Sequence, residues 1–442
     1  MQKRKLLANK EFRFVPLGLS WCFYTNKENI MKKTSSKFNI KLRVLVEYVW
    51  VIFLILNGNS VYHAAANTDY HFPVVCTILS VLLLLITPPV KKIGKKSSFV
   101  AAIFLLCYFG AYFILQQSVV SKEIYLFGFV VSIPVLLLYH VKLHQVDEPA
   151  RLFYRIETVV LFLAVTSLFL WLLGPILNVI QPNCSITINW GNKHVVHGYF
   201  GLQYLTQRDT TFIYGLIRNT SIFCEGPMFN LWLSIALMTE FFLRPKVSKR
   251  KVVLLCITIL TTTTTTGIFV IVMCMVFSWL QKVSNTKSKA KLILIWLMCT
   301  ILPIIALTLW EIFVLKMDTK SYSIRFQDYI IGMKLWAQKP LLGYGYGNLG
   351  AIFAVKEGSK KGFSNSITAI LATGGLWHFL VYLLSIFGPM RRQTGNKGKY
   401  TSFMIVYAVL TIVTIFFARY IFVVFVSFGL SFFMFQKQRS IK

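Results

Sequence analysis

The chain has 442 residues, 56% of them hydrophobic and only 14% charged, with a mean hydropathy of +0.63. Soluble domains run at about 45–50% apolar and about 25% charged residues, so a soluble globular domain is excluded. The net charge of +32 comes without any RNA- or DNA-binding motif, and no nucleic-acid partner is expected.

Several windows hold roughly 18 or more apolar residues with almost no charge, enough to cross a ~30 Å hydrocarbon core as helix. Inside lipid every backbone polar group must be paired, which only helices and closed barrels achieve. Barrel strands alternate with period two, whereas these runs are solidly apolar. The expected fold is all-α, a polytopic transmembrane helical bundle of about 12 spans with two long external loops.

In chain order, residues 1–41 form a cytoplasmic N-terminal segment without an apolar h-region and cleavage site, and Met31-Lys32-Lys33 reads as a natural start before the first span. A first bundle over 42–180 contains spans near 42–57, 72–90, 98–116, 124–141 and 158–180. Glu47 lies within the first of these. An ionisable residue in a span is a functional candidate by default, but its nearness to the cytoplasmic end points to snorkelling. The first long external loop covers 181–227. Transmembrane helices follow over 228–316, with spans at 228–243 and 291–315. The stretch 252–280 between them is too long for one span and is interrupted by Thr261–Thr266 and Gly267, which predicts two short helices joined by a turn. The second long external loop covers 317–363. Spans at 364–388, 401–417 and 420–436 precede a cytoplasmic tail over 437–442.

Runs such as Lys91, Lys92, Lys95 and Lys96, Arg244 to Lys251, Lys282 to Lys291, and Arg391 to Lys399 fall in alternate loops. The positive-inside rule makes these cytoplasmic, and an even number of spans then places both termini in the cytoplasm of a cell with its protein in the cytoplasmic membrane. The eight Cys fall mostly within spans, where they act as small apolar residues. Only Cys184 and Cys224 would face outside, either linked or as two thiols. No His/Cys cluster with metal-ligand spacing is present, and neither a metal nor a cofactor is expected.

The second long loop and its edge carry Lys316, Lys320, Arg325, Lys334, Lys339, Lys356, Lys360 and Lys361 against Asp318, Asp328 and Glu357. This external positive charge is either that of a solvated loop, since long loops escape the topology rule, or an attraction for lipid headgroups or a diphosphate. Three stretches are organised. Arg218 to Glu225-Gly226-Pro227 leads straight into a span, with Pro near the first helical position. Arg218 and Glu225 there form either an interfacial ion pair or a ligand site. Ser323 to Asn348 contains Arg325, a short amphipathic helix around Ile330–Leu335 anchored by Trp336, then Pro340 and the alternating glycines Gly343, Gly345 and Gly347 of a tight, anion-binding type of turn. Gly362 to Ser366, with Asn365, opens a span that carries Gly374-Gly375.

Taken together and in this order, these stretches resemble the Wzy-like family of O-antigen and capsular polysaccharide polymerases and O-antigen ligases, over roughly residues 210–380. Arg218 to Pro227 resembles that family's Arg followed by an apolar-Glu-Pro helix start. Thr261–Gly267 looks like its Ser/Thr-then-Gly step. Arg325 to Gly345 is similar to its Arg-led segment closing on a Pro-Leu-Leu-Gly-x-Gly turn. Asn365 with Gly374-Gly375 looks like its final helix start. Ser364 stands where many ligase-type members have His. That is closer to the capsule and exopolysaccharide polymerases of Gram-positive bacteria, and it transfers no catalytic base.

The resemblance implies a GT-C-like membrane glycosyltransferase at the outer face of the membrane. It would join polyprenyl-diphosphate-linked oligosaccharide repeats into capsular polysaccharide, exopolysaccharide or O-antigen, with a flippase and chain-length regulator proteins as partners in the bilayer. Guanidinium groups suit the departing diphosphate. Arg325 is the first candidate, Arg218 the second and Arg208 the third, and the lack of an external Asp-x-Asp fits a metal-independent reaction. Glu225 is the candidate base, because Asp328 lies one helical turn from Arg325 and would pair with it. Gly343, Gly345 and Asn365 would shape the site. His63, His71, His194 and His197 have structural or solvated roles. The alternatives are a polysaccharide ligase, or a flippase or other transporter of lipid-linked sugars. Transporters commonly show two related halves, and no internal repeat is visible here.

Overall fold

The computed structural model describes residues 41–66, 71–87, 95–116, 118–119, 122–209, 213–285, 307, 311, 314, 320–355, 363–391 and 397–434. The chain divides into two units, Met1–Leu45 and Val46–Lys442, and the architecture that follows is that of the second.

Its helices are α1 (46–56), α2 (Val61–Ala66), α3 (His71–Ile86), α4 (Lys95–Leu115), α5 (Lys122–Gln145), α6 (Arg151–Ile176) and α7 (Gly226–Leu243). They continue with α8 (Lys249–Thr261), α9 (Thr265–Asn285), α10 (Lys320–Gln338), α11 (Gly350–Val355), α12 (Ser366–Phe387), α13 (Lys397–Val413) and α14 (Tyr420–Met434). Among the described residues, six helices are long and apolar enough to cross a membrane, and three shorter apolar helices accompany them. That is the make-up of a helical membrane protein. The span expected at 291–315 lies outside the described residues apart from three isolated positions.

Side-chain contacts sort the bundle into two ends. Arg244 and Lys251 both donate to Glu157, at 2.7 and 2.8 Å, and Lys251 also reaches Glu240. Gln281 donates to Ser402 at 2.9 Å, and Lys399 to the Arg244 carbonyl. Five helices, α6, α7, α8, α9 and α13, thus share one strongly basic end. α7 has 18 residues from Gly226 to Leu243, so its start lies about 27 Å away at the other end. Glu47 corrects an expectation here. It does not snorkel, but is fully buried and held by Arg151 and by Arg155, the latter at 2.9 Å. A buried carboxylate is tolerated only when paired in this way.

The break near Thr261–Gly267 falls at Thr262–Thr264, with Thr263 at φ 49°. Thr261 and Thr262 hydroxyls donate back to the carbonyls of Thr258 and Ile259, offering the backbone an alternative to continued helix. The chain then reverses, so α8 and α9 are neighbours.

Helix α12 is broken at Gly375, which has φ 61° and ψ −165°. The amides of Leu376 and Trp377 bond instead to the carbonyls of Pro340 and Leu341, and Tyr344 N–H donates to Ala372 O. The Pro340–Tyr344 turn therefore takes up the backbone groups that the break leaves over. A Cβ on Gly375 would overlap the Leu341 carbonyl, and the left-handed backbone independently requires glycine.

The first long loop holds the strands found among the described residues, an antiparallel sheet of β1 (Cys184–Trp190), β2 (Asn192–Tyr199) and β3 (Gln203–Tyr204), in the order β1-β2-β3. Along β1, Ser185, Thr187 and Asn189 are exposed, while Ile186, Ile188 and Trp190 turn inward onto α2. The sheet and α2 share a small core of Val61, Ala64, Ile188, Val196, Tyr204 and Cys224.

Candidate functional site

The end opposite the basic one gathers helix starts. α7 begins at Gly226, α9 at Thr265, α12 at Ser366 and α14 at Tyr420. Residues at or just before all four starts line a single cavity of about 920 Å³: Glu225 and Pro227, Thr266, Ser364, and Ala418 with Arg419. Arg325 from α10 and Trp190 with Gly191 from the β1–β2 tip line it as well. Each helix N-terminus carries about half a positive charge, so four of them with two arginines make this cavity favourable for an anion.

Glu225 is the N-cap residue of α7, with extended backbone (φ −148°, ψ 154°), yet its side chain makes no cap bond. Gln207 serves that helix start instead, accepting the Gly226 N–H at 3.0 Å. The Glu225 carboxylate turns to Trp190, whose indole Nε1 donates to Oε1 at 2.8 Å. Arg325 donates through Nη1 to the Val413 carbonyl at 3.0 Å, which fixes its guanidinium at the end of α13. Arg419 donates to His63 Nε2 at 3.2 Å, an arrangement that requires the neutral imidazole to accept on that nitrogen. Burial pushes the Cys224 thiol up to about 12; Glu225 pushes it the same way and Arg419 opposes it, so carboxylate and guanidinium flank this residue together. Cys184 and Cys224 are both free thiols.

Polar atoms in the lining are left unsatisfied. Asn230 and Asn59 are 1% and 5% exposed, and the Oδ1 of each lacks a hydrogen-bond partner, as does the Ser364 hydroxyl. Buried polar groups are nearly always paired, so a lining with three idle ones suits a polar ligand rather than an acyl chain alone.

The residues singled out from sequence divide between this cavity and its supports. Glu225 and Arg325 meet in it. Arg218 does not line it. It lies behind Glu225, 9% exposed, bonded to the fully buried Asp209 at 2.7 Å. That pair ties down the loop ahead of α7, so Arg218 supports the wall and does not line the cavity. Arg208 does not line the cavity either, and donates to the Gly215 carbonyl. Asp328 is fully buried and absent from the lining.

Asn365 caps α12, accepting the Thr368 N–H at 3.0 Å and its hydroxyl at 2.7 Å. Gly343 and Gly345 form the turn that seats α10 against α12, with left-handed φ of 65° and 101°. A Cβ at Gly343 would meet the Thr373 carbonyl and one at Gly345 the Ser118 carbonyl, so both glycines serve close backbone packing. These supports shape the site indirectly, through the placement of α10. That helix is longer than the expected amphipathic turn. It exposes Phe326, Ile330 and Met333 on one face, while Gly332 approaches Thr368 on the other.

Sequence reasoning missed Arg419 and Trp190, and gave His63 a structural or solvated role. The signal for Arg419 was present, since it is the lone charge between two apolar spans that begin and end within a few residues of it. Comparison with known proteins finds no protein family whose profile matches this chain and no match among curated proteins.

Proposed function

We propose that the chain is a metal-independent glycosyltransferase that polymerises polyprenyl-diphosphate-linked oligosaccharide repeats at the outer face of the cytoplasmic membrane. The observation that carries this reading is that Glu225 and Arg325, drawn from two separate loops, line one anion-favouring cavity. The basic end of the bundle faces the cytoplasm in this account, and the cavity faces outward.

An acceptor hydroxyl oxygen attacks the anomeric carbon of the donor sugar, and the bond from that carbon to the diphosphate oxygen breaks. The electron pair leaves with the diphosphate, and the hydroxyl proton passes to the Glu225 carboxylate, which returns it to solvent. The diphosphate is already a competent leaving group, so the main demand on the protein is to stabilise the charge that builds on it. Arg325 answers that demand. Its Nη1 is anchored on Val413, and its remaining N–H groups are directed to phosphate oxygens. Arg419 supplies a second cation and the four helix N-termini a diffuse positive field.

Deleting the protein and characterising the carrier-linked sugars tests the reading. Single repeats on the carrier at the outer leaflet are the expected result. Repeats held on the cytoplasmic leaflet would mark a flippase, and full-length polymer left on the carrier would mark a ligase; either overturns it.

A further inference from the structure

The reaction as written leaves Trp190 without a task. It ends β1 at the tip of the hairpin, where Gly191 turns the chain with φ 72°. Both residues line the cavity. The ring is held from behind. Trp190 is the last inward residue of β1, and with Cys184 and Ile186 it packs on the small buried core formed by the sheet and α2. Hydrogen bonds from α2 and its flanks brace that core, as Tyr62 donates to the Gly201 carbonyl at 2.6 Å and Val61 N–H to the Ile222 carbonyl at 2.8 Å. The indole is thus a fixed surface.

Its Nε1 bond to Glu225 Oε1 has a further consequence. With Oε1 engaged and the N-cap duty taken by Gln207, Oε2 has no hydrogen-bond partner among the described residues, and the residue itself lines the cavity. One side chain therefore both orients a carboxylate and presents an aromatic ring at its edge.

A ligand group that uses this pairing must have an apolar face and a hydrogen-bond donor on its rim. A phosphate has neither and is repelled by the carboxylate. An acyl chain has the apolar face alone and would strand the carboxylate without water. A pyranose has both, since its axial C–H bonds make one face apolar and its hydroxyls ring the edge. We propose that Trp190 and Glu225 form the subsite for the terminal sugar of the acceptor, with Trp190 stacking on the ring and positioning the carboxylate against the attacking hydroxyl. This rests on the glycosyl-transfer reading above, and it assigns the two walls of the cavity differently, arginines to the donor diphosphate and the hairpin tip to the acceptor sugar.

The test uses full-length protein in membrane vesicles, with preformed carrier-linked polymer as saturating donor and single carrier-linked repeats as the varied acceptor. Trp190→Leu keeps apolar packing on the core but loses the ring, and is expected to raise the acceptor KM about tenfold, while a second series with the donor varied at saturating acceptor leaves the donor KM unchanged. Trp190→Phe keeps the ring but loses the N–H. It is expected to hold the acceptor KM within about twofold of wild type while kcat falls about tenfold, because the carboxylate is no longer oriented. An acceptor KM and kcat unchanged in Trp190→Leu, with wild-type protein polymerising normally, would overturn the sugar subsite alone. Wild-type protein that transfers no sugar at all overturns the glycosyl-transfer reading and this one with it.

Discussion

Arg325 offers the sharpest single perturbation. Its guanidinium is planar, with five N–H donors, and one of them is committed to the Val413 carbonyl at 3.0 Å. In the proposed mechanism the remaining donors meet two phosphate oxygens only while that anchor holds. Removing one preorganised donor from a developing oxyanion costs about 2.7–4 kcal/mol, or about 10²–10³ in rate. Arg325→Ala removes the charge as well, so turnover should fall by at least about 10²-fold. Lys carries three donors on one nitrogen and has no planar fork to set against two phosphate oxygens. Arg325→Lys should therefore recover no more than about tenfold of the loss. The assay is polymer formation from carrier-linked repeats in membranes matched for protein content. Arg325→Ala with more than about a tenth of wild-type turnover would refute the assignment of the diphosphate to this residue.

Other outcomes follow from the same geometry. Glu225→Gln keeps an acceptor for the Trp190 N–H but cannot take a proton, so kcat should drop about 10²–10⁴-fold with normal protein level. Arg218→Ala should act on folding, because it removes the cation that pairs with the buried Asp209. Reduced abundance in the membrane is the expected readout, and full abundance with lost turnover would instead return Arg218 to the site. Arg419→Ala should lower turnover by about tenfold or more, and His63→Ala should mimic it in part; turnover of the Arg419 variant at wild-type level would remove that cation from the mechanism. Gly375→Ala combines a left-handed backbone with a collision against Leu341, and should lower thermal stability in detergent by several degrees.

Much of the bundle was legible in the sequence because lipid imposes a simple code. Apolar length identifies a span, and the Thr261–Gly267 interruption inside a run too long for one helix marked a reversal that lies at Thr262–Thr264. The hairpin in the first long loop was also written there, in the alternation of Ser185, Ile186, Thr187, Ile188, Asn189 and Trp190 before Gly191, a period-two pattern that the search for apolar spans does not pick up. Glu47 was misread because its partners, Arg151 and Arg155, lie on another helix, and pairing across helices is not visible in local spacing.

The candidate site divides on the same line. Glu225 and Arg325 could be picked out because each sits in an organised local stretch. Whether an arginine faces a ligand or a buried aspartate is a tertiary fact, and Arg218 and Asp209 show how adjacent loop turns decide it. Arg419 sits in a connector of a few residues, where its lone charge between two apolar spans is visible but its surroundings are not. Its importance comes from the three other helix starts that meet it.

The central claim is that the cavity at the helix starts transfers a glycosyl group from a lipid diphosphate. Its most direct test is to supply purified full-length protein in lipid vesicles with carrier-linked repeats and to resolve the products by size. The account predicts a ladder of carrier-linked oligomers with wild-type protein and none with Glu225→Gln or Arg325→Ala. A ladder of undiminished intensity from both variants, or no ladder from wild-type protein, would contradict it.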